Sequence, residues 1–255
     1  MIDKMDINTM NIPYQNIEIE QIYSQIFSAP KRTIAICSAN EGEGTTSLAL
    51  ALAERHLMAG HSTLVVDLNL YKPSLQGLLD IETETLAVTK KLPAKLSSSI
   101  FSSVKLVTAN QNSHVMTGLT APQKRENIIK LRELGVLEQC ISEWTQQFDC
   151  IIIDTSPLNR INAGNIPAER IAAACDGAIL TVLAGQTREA MVTSAVNKLN
   201  TSNAKLLGCV FNDRDNPSLK NELLRTVQKL EARFSWIAHP LKKFINKNHL
   251  LTLEV

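Results

Sequence analysis

The 255-residue sequence predicts an α/β protein built on a single doubly wound, mainly parallel sheet with helices on both faces. Three observations carry that reading. Short, continuously apolar runs recur at residues 33–38, 62–67, 150–154 and 177–183, and strands this uniformly apolar are buried on both sides. Segments of helical length and spacing separate them, as parallel strands require of their connections. No low-complexity linker splits the chain, so one α/β domain accounts for residues 31–233, with an extension and helix before it (1–30) and a tail after it (234–255).

The elements follow in order. Ile19, Ile22, Tyr23 and Ile26 fall at helical spacing, predicting an amphipathic helix near residues 17–27. Residues 33–38 form a strand, and a glycine-containing loop leads to an Ala- and Leu-rich helix over 46–59, closed by Gly60. Residues 62–67 are β-branched and read as the second strand. Residues 74–103 read as irregular with short helices, and 104–108 as a strand. Residues 128–148 read as helix, with a break expected at Gly135. Strand 150–154, helix 167–175, strand 177–183, helix 187–199, strand 205–211 and a final helix over 219–233 complete the alternation.

The bulk properties narrow the function. Hydrophobic residues make up 44% of the chain, which excludes a mostly disordered protein. A net charge of +1 gives no basis for a nucleic-acid partner. No apolar run approaches the roughly 20 residues that span a bilayer, and residues 1–22 lack a charged-then-apolar leader pattern, so the expected location is the cytoplasm. Cys37, Cys140, Cys150, Cys175 and Cys209 form no CxxC pair; four lie in or beside apolar segments and read as buried free thiols. The five histidines lack partners at metal-ligand spacing and receive no role.

The segment Ala39-Asn40-Glu41-Gly42-Glu43-Gly44-Thr45-Thr46-Ser47 stands between an apolar strand and a helix start, the setting of a phosphate-binding loop. Gly42 and Gly44 let the backbone approach an anion, and Thr46 occupies the Mg²⁺-binding Ser/Thr position. The lysine position is Thr45, which hydrogen-bonds phosphate but brings no charge to it. A simple turn before a helix explains the loop alone about as well. Asp67 and Asp154 tip the balance: both end apolar strands, and in a parallel sheet such ends share the edge of the loop. There an aspartate binds Mg²⁺ directly or through water, or orients an attacking group.

Over roughly residues 17–213 the chain resembles the bacterial tyrosine kinases of polysaccharide export, the BY-kinases, within the MinD/ParA group of deviant-Walker ATPases. Residues 36–47 are similar to that family's SA-x-x-GEGKS loop, and residues 64–73 to its second-strand motif, an aspartate pair followed by arginine, a basic residue and proline. Residues 148–158 resemble its Walker B segment, and residues 173–183 and 207–212 its later strands. The resemblance implies ATP or ADP with Mg²⁺ as cofactors. It implies Thr46, Asp67 and Asp154 as metal-linked positions, Asp67 and Asp154 as catalytic carboxylates, the loop from Glu41 to Ser47 as the phosphate cradle, and Asn212 as the contact to the base.

The departures from the family pattern point one way. Thr45 replaces lysine, Asn69 replaces the second aspartate of the pair, and Tyr71 replaces the arginine. The tyrosines are Tyr14, Tyr23 and Tyr71, so the C-terminal tail offers no acceptor cluster. The family's E-x-x-R-x-x-R assembly motif aligns best with Glu20, Tyr23 and Ile26, both arginines gone. The implied protein is a BY-kinase-like component of exopolysaccharide or capsule biosynthesis or export, regulatory, with weakened or lost kinase activity. Its implied partner is an inner-membrane copolymerase or chain-length protein that holds it peripherally at the membrane, and a homo-oligomer is compatible. Two alternatives stay open: a working MinD/ParA-type ATPase switch, and an interaction protein that has lost its nucleotide. The aromatic and basic stretch 234–245 reads first as packing on the domain and second as a docking segment. The nearest cations in sequence that could replace the lysine are Lys31, Arg32 and Lys72, or a residue supplied in trans.

Overall fold

The computed structural model describes residues 16–28, 31–75, 96–101, 103–107, 115–160, 164–214, 223, 227 and 240–245. In chain order the elements are α1 (Ile17–Ile26), β1 (Thr33–Ser38), α2 (Thr45–Met58), β2 (Thr63–Leu68), α3 (Leu96–Ile100), β3 (Ser103–Val107), β4 (Val115–Leu119), α4 (Arg125–Leu131), α5 (Val136–Thr145), β5 (Cys150–Thr155), α6 (Ala168–Ala173), β6 (Gly177–Leu183), α7 (Glu189–Thr201) and β7 (Leu206–Asn212). The chain divides into two compact units. One holds the described residues up to Val182 together with Thr187–Asn212; the other holds Leu183–Gln186 and the described residues beyond Asn212. Within the second unit Val227 and Ile245 are buried, with Leu223 beside them.

The seven strands lie in the order β3-β4-β2-β5-β1-β6-β7. β1 runs parallel to β5 and β6, and β2 parallel to β4 and β5, while β3 is antiparallel to β4. The expected α/β class and mainly parallel sheet are therefore present. One strand, β4, was not anticipated. The residues 128–148 expected as helix form two helices, separated at Gly135, which takes a left-handed φ of 84° as the N-cap of α5. The expected helix over 219–233 lies outside the described residues, apart from Leu223 and Val227. So do residues 76–95 of the irregular stretch, and the tail beyond 233 apart from 240–245.

Side-chain alternation along the strands sorts the core into two faces. Ile34 and Ile36 of β1, Val65 of β2 and Ile152 of β5 pack with Ile19 and Ile26 of α1 and Leu48 and Leu52 of α2. Leu64, Val66, Ile151 and Ile153 point the other way, onto Leu131 of α4 and Leu137, Cys140 and Trp144 of α5. Ala35 and Cys37 meet Ala168 and Ala172 of α6 and Ala195 and Leu199 of α7. The small residues on this last seam let helix and sheet approach closely, while each buried Leu or Ile elsewhere contributes about 1.5–3 kcal/mol. Of the cysteines, Cys37, Cys140 and Cys150 are buried, Cys175 is partly buried and Cys209 is exposed; all are free.

Candidate functional site

Strand parity decides where the two aspartates point. Asp67 lies two residues beyond Val65, and Asp154 two beyond Ile152, so both share the face covered by α2. The strands β2 and β5 are neighbours, and Asp67 is the register partner of Asp154. On its other side β5 pairs with β1, which feeds the loop 39–44 and then α2. The sheet order thus delivers both carboxylates to the N-terminal end of one helix.

That helix begins at Thr45, one residue earlier than the sequence suggested, with Gly44 as its N-cap. Gly44 has φ 95° and Gly42 φ 78°, left-handed values that side chains resist. A Cβ on Gly44 would also stand 2.5 Å from Asn212 Nδ2. The loop is organised from within by the buried Glu43. Its carboxylate accepts hydrogen bonds from Ala39 N (2.8 Å), Asn40 Nδ2 (3.1 Å) and Thr187 Oγ1 (2.6 Å), and its carbonyl accepts one from Asn212 Nδ2 (3.1 Å).

Thr46 Oγ1 donates to Asp154 Oδ2 at 2.5 Å and lies 3.0 Å from Ser74 Oγ. Asp154 is fully buried, and its Oδ1 makes no hydrogen bond of standard geometry, with the Thr45 and Asn69 side chains as weaker polar neighbours. Burial pushes its carboxyl up to about 7; the Thr46 hydroxyl opposes that shift and the adjacent Asp67 adds to it. Asp67, also buried, accepts the backbone N–H groups of Asn69 (2.9 Å), Ser74 (3.1 Å) and Leu75 (3.2 Å), and so shapes the loop after β2. Burial raises its pKa, and those three N–H groups hold it down.

The structure therefore brings together Glu41, Gly42, Glu43, Gly44, Thr45, Thr46, Asp67, Asp154 and Asn212. Ser47 continues α2. Asn212 touches the backbone of the loop itself. Three participants were absent from the sequence reading: Ser74, Thr187 and Arg160, whose Nη2 lies 3.5 Å from Glu41 Oε1. Of the nearby cations named there, Lys31 donates to Ile26 O, and Arg32 to the carbonyls of Thr145 and Phe148. Both precede β1, whereas the loop follows it, and six strand residues separate the two ends by about 20 Å. They do not serve the loop.

No protein-family model matches the chain. Curated relatives do. The tyrosine-protein kinase YwqD of Bacillus subtilis is 26% identical over 199 residues, covering 78% of this chain and 77% of that one. Tyrosine-protein kinase CpsD of Streptococcus agalactiae is 28% identical over 192 residues, covering 74% and 78%. The chain is similar to bacterial tyrosine kinases over about three quarters of its length. The similarity extends to the succinoglycan biosynthesis transport protein ExoP of Rhizobium meliloti, 24% identical over 189 residues, or 72% of this chain and 22% of that protein. Among solved structures, the kinase domain of the Escherichia coli tyrosine kinase ETK superposes with a TM-score of 0.60 at 14% identity, covering 84% of this chain and 87% of that one. Cobyrinic acid a,c-diamide synthase of Mycobacterium smegmatis, solved with a bound ATP analogue and magnesium, gives 0.53 at 17% identity, covering 80% and 82%. At such identities the structures establish the shared P-loop fold.

Proposed function

We propose that this chain is a cytoplasmic BY-kinase-like protein of exopolysaccharide or capsule biosynthesis or export, which binds Mg²⁺-nucleotide and acts by regulation rather than by efficient phosphoryl transfer. One observation carries the nucleotide reading: Thr46 and the half-unpartnered, fully buried Asp154 converge at the N-terminus of α2, directly behind a glycine loop. A buried carboxylate oxygen without a well-formed hydrogen bond is costly unless a ligand completes it. Thr46 and Asp154, with Asp67 beside them, supply the oxygen donors that suit Mg²⁺. Mg²⁺ neutralises charge on β- and γ-phosphates when bound. The chain's own contribution is binding and orientation: the glycine loop at the N-terminus of α2 would offer backbone N–H groups to an anion, Glu43 keeps the loop in shape, and Asp67 fixes the neighbouring turn.

The regulatory half of the reading rests on composition at the same site. Thr45 brings a hydroxyl where relatives of this motif carry a cation, and Asn69 and Tyr71 replace two further charged groups. The similarity to a succinoglycan biosynthesis transport protein supports a role in polysaccharide export, and the partner proposed with that role is a membrane copolymerase. Among the described residues no helix is long and apolar enough to cross a membrane, so that partner would provide the attachment. The domain division proposed with this function is an extension over 1–30, the P-loop domain over 31–233 and a tail over 234–255.

Equilibrium binding of a fluorescent ATP analogue, with and without Mg²⁺, tests the proposal. Micromolar, Mg²⁺-dependent binding that Asp154→Asn weakens is the expected result; no binding in either condition removes the nucleotide reading. Thr45→Lys should tighten binding on the order of tenfold and raise any phosphoryl transfer from labelled ATP. Brisk transfer by the unaltered chain would contradict the regulatory reading.

A further inference from the structure

We infer that Arg160 supplies the positive charge that the phosphate loop lacks, and that Glu41 occupies it until a nucleotide phosphate takes its place. The inference rests on the nucleotide reading above. Arg160 follows β5 by five residues, and its backbone is held against the loop from several sides. Leu158 N donates to Ser38 O (2.8 Å), Asn159 N to Ala39 O (3.1 Å), and Arg160 N to Pro157 O (3.1 Å). The Asn159 side chain is fixed in turn by Ser194 Oγ and Lys198 Nζ, and Asn165 Nδ2 donates to Arg160 O (3.3 Å). The guanidinium, by contrast, is loosely held. It stands 3.5 Å from Glu41 Oε1 and 5.8 Å from the centre of the Tyr71 ring, and the Arg160 and Glu41 side chains are 54% and 48% exposed.

This is the arrangement of a placed but uncommitted cation. A half-exposed ion pair is worth little in water, so Glu41 yields Arg160 readily to a better anion. A phosphate is that better anion, because it carries more charge and accepts a guanidinium through two parallel hydrogen bonds. Among the described residues, three other cations are engaged elsewhere. Lys198 Nζ donates to Leu158 O (2.6 Å), Arg55 to Glu20, and Arg170 to the carbonyls of Arg132 and Glu133. The missing lysine and the extra arginine therefore compensate one another: the charge leaves the start of α2 and returns from the loop after β5.

The test is a binding series on the full chain with a non-hydrolysable fluorescent ATP analogue and Mg²⁺. Arg160→Ala should weaken binding on the order of tenfold, the scale of one charge-assisted contact, while Arg160→Lys weakens it less and Glu41→Gln tightens it severalfold. Lys72→Ala, a neighbouring exposed cation unpaired with the loop, should change it by less than about twofold. In a Thr45→Lys background Arg160→Ala should lose most of its effect, because the charge is already supplied. Thermal unfolding without nucleotide should be unchanged in every exposed variant. If the unaltered chain binds no analogue, the nucleotide reading falls and this inference with it. If it binds and Arg160→Ala binds equally well, or Lys72→Ala costs as much, the inference alone is overturned.

Discussion

Gly44 and Gly42 separate two reasons for a glycine. Both adopt left-handed φ, so alanine at either costs about 1–2 kcal/mol in backbone strain. At Gly42 a Cβ meets nothing within 4 Å, whereas at Gly44 it would collide with Asn212 Nδ2 at 2.5 Å. Gly44→Ala should therefore destabilise the protein by about 1 kcal/mol more than Gly42→Ala in urea denaturation, as overpacking adds to strain. It should also weaken nucleotide binding, since the collision moves the N-cap of the helix that faces the phosphate. Equal costs for the two variants would show that Asn212 is free to withdraw. The residue types of this site were readable from the sequence, since glycines, Thr46 and the two strand-end aspartates each have a local signature. Ser74, Thr187 and Arg160 were not: their partners lie 28, 144 and 119 positions away, and nothing local marks them.

At the scale of elements, α1 is tied to α2 by polar and aromatic side chains. Glu20, the position aligned with the family motif, pairs within the chain with Arg55 of α2, whose guanidinium also lies 4.5 Å from the Tyr23 ring centre. Tyr23 Oη is 2.8 Å from His56 Nδ1, and Phe27 and His61 stack on the His56 ring. Burial, reinforced by His61 and Arg55 and opposed by Asp149, depresses the His56 pKa to about 4. A base whose folded pKa lies below its unfolded value of 6.5 stabilises the fold above pH 6.5, and that stability drains away as pH falls toward 4. Native protein should lose about 1–2 kcal/mol between pH 7 and pH 4.5 through this group, and His56→Gln should flatten that part of the profile. A profile unchanged by the substitution would contradict the buried-imidazole account. The order of elements was legible because apolar runs and glycine stops are local. β4 was missed because Val-Met-Thr-Gly-Leu is a poor strand by itself, with Gly118 inside it; its pairing with β2 and β3 makes it one.

At the scale of the whole molecule, the sheet gives up stability at the strand ends that carry Asp67 and Asp154. Every side chain of β5 is buried, yet Asp154 lies in register with Asp67, and one of its oxygens makes no hydrogen bond of standard geometry. Two adjacent buried carboxylates oppose folding, and a sheet selected for stability alone would carry apolar residues there. Asp154→Asn keeps the shape and removes one negative charge, with an amide that offers protons to Asp67 or to the Thr46 hydroxyl. The ligand-free protein should then gain about 1–2 kcal/mol at pH 7.5, read as a higher Tm. In the same variant the rise in Tm that Mg²⁺-nucleotide gives the unaltered chain should shrink or vanish, because ligand stabilisation scales with affinity. The two Tm shifts must move in opposite directions. A variant that is less stable without ligand would mean that Asp154 is a structural acceptor for Thr46, and that the strand end was never held open for a ligand.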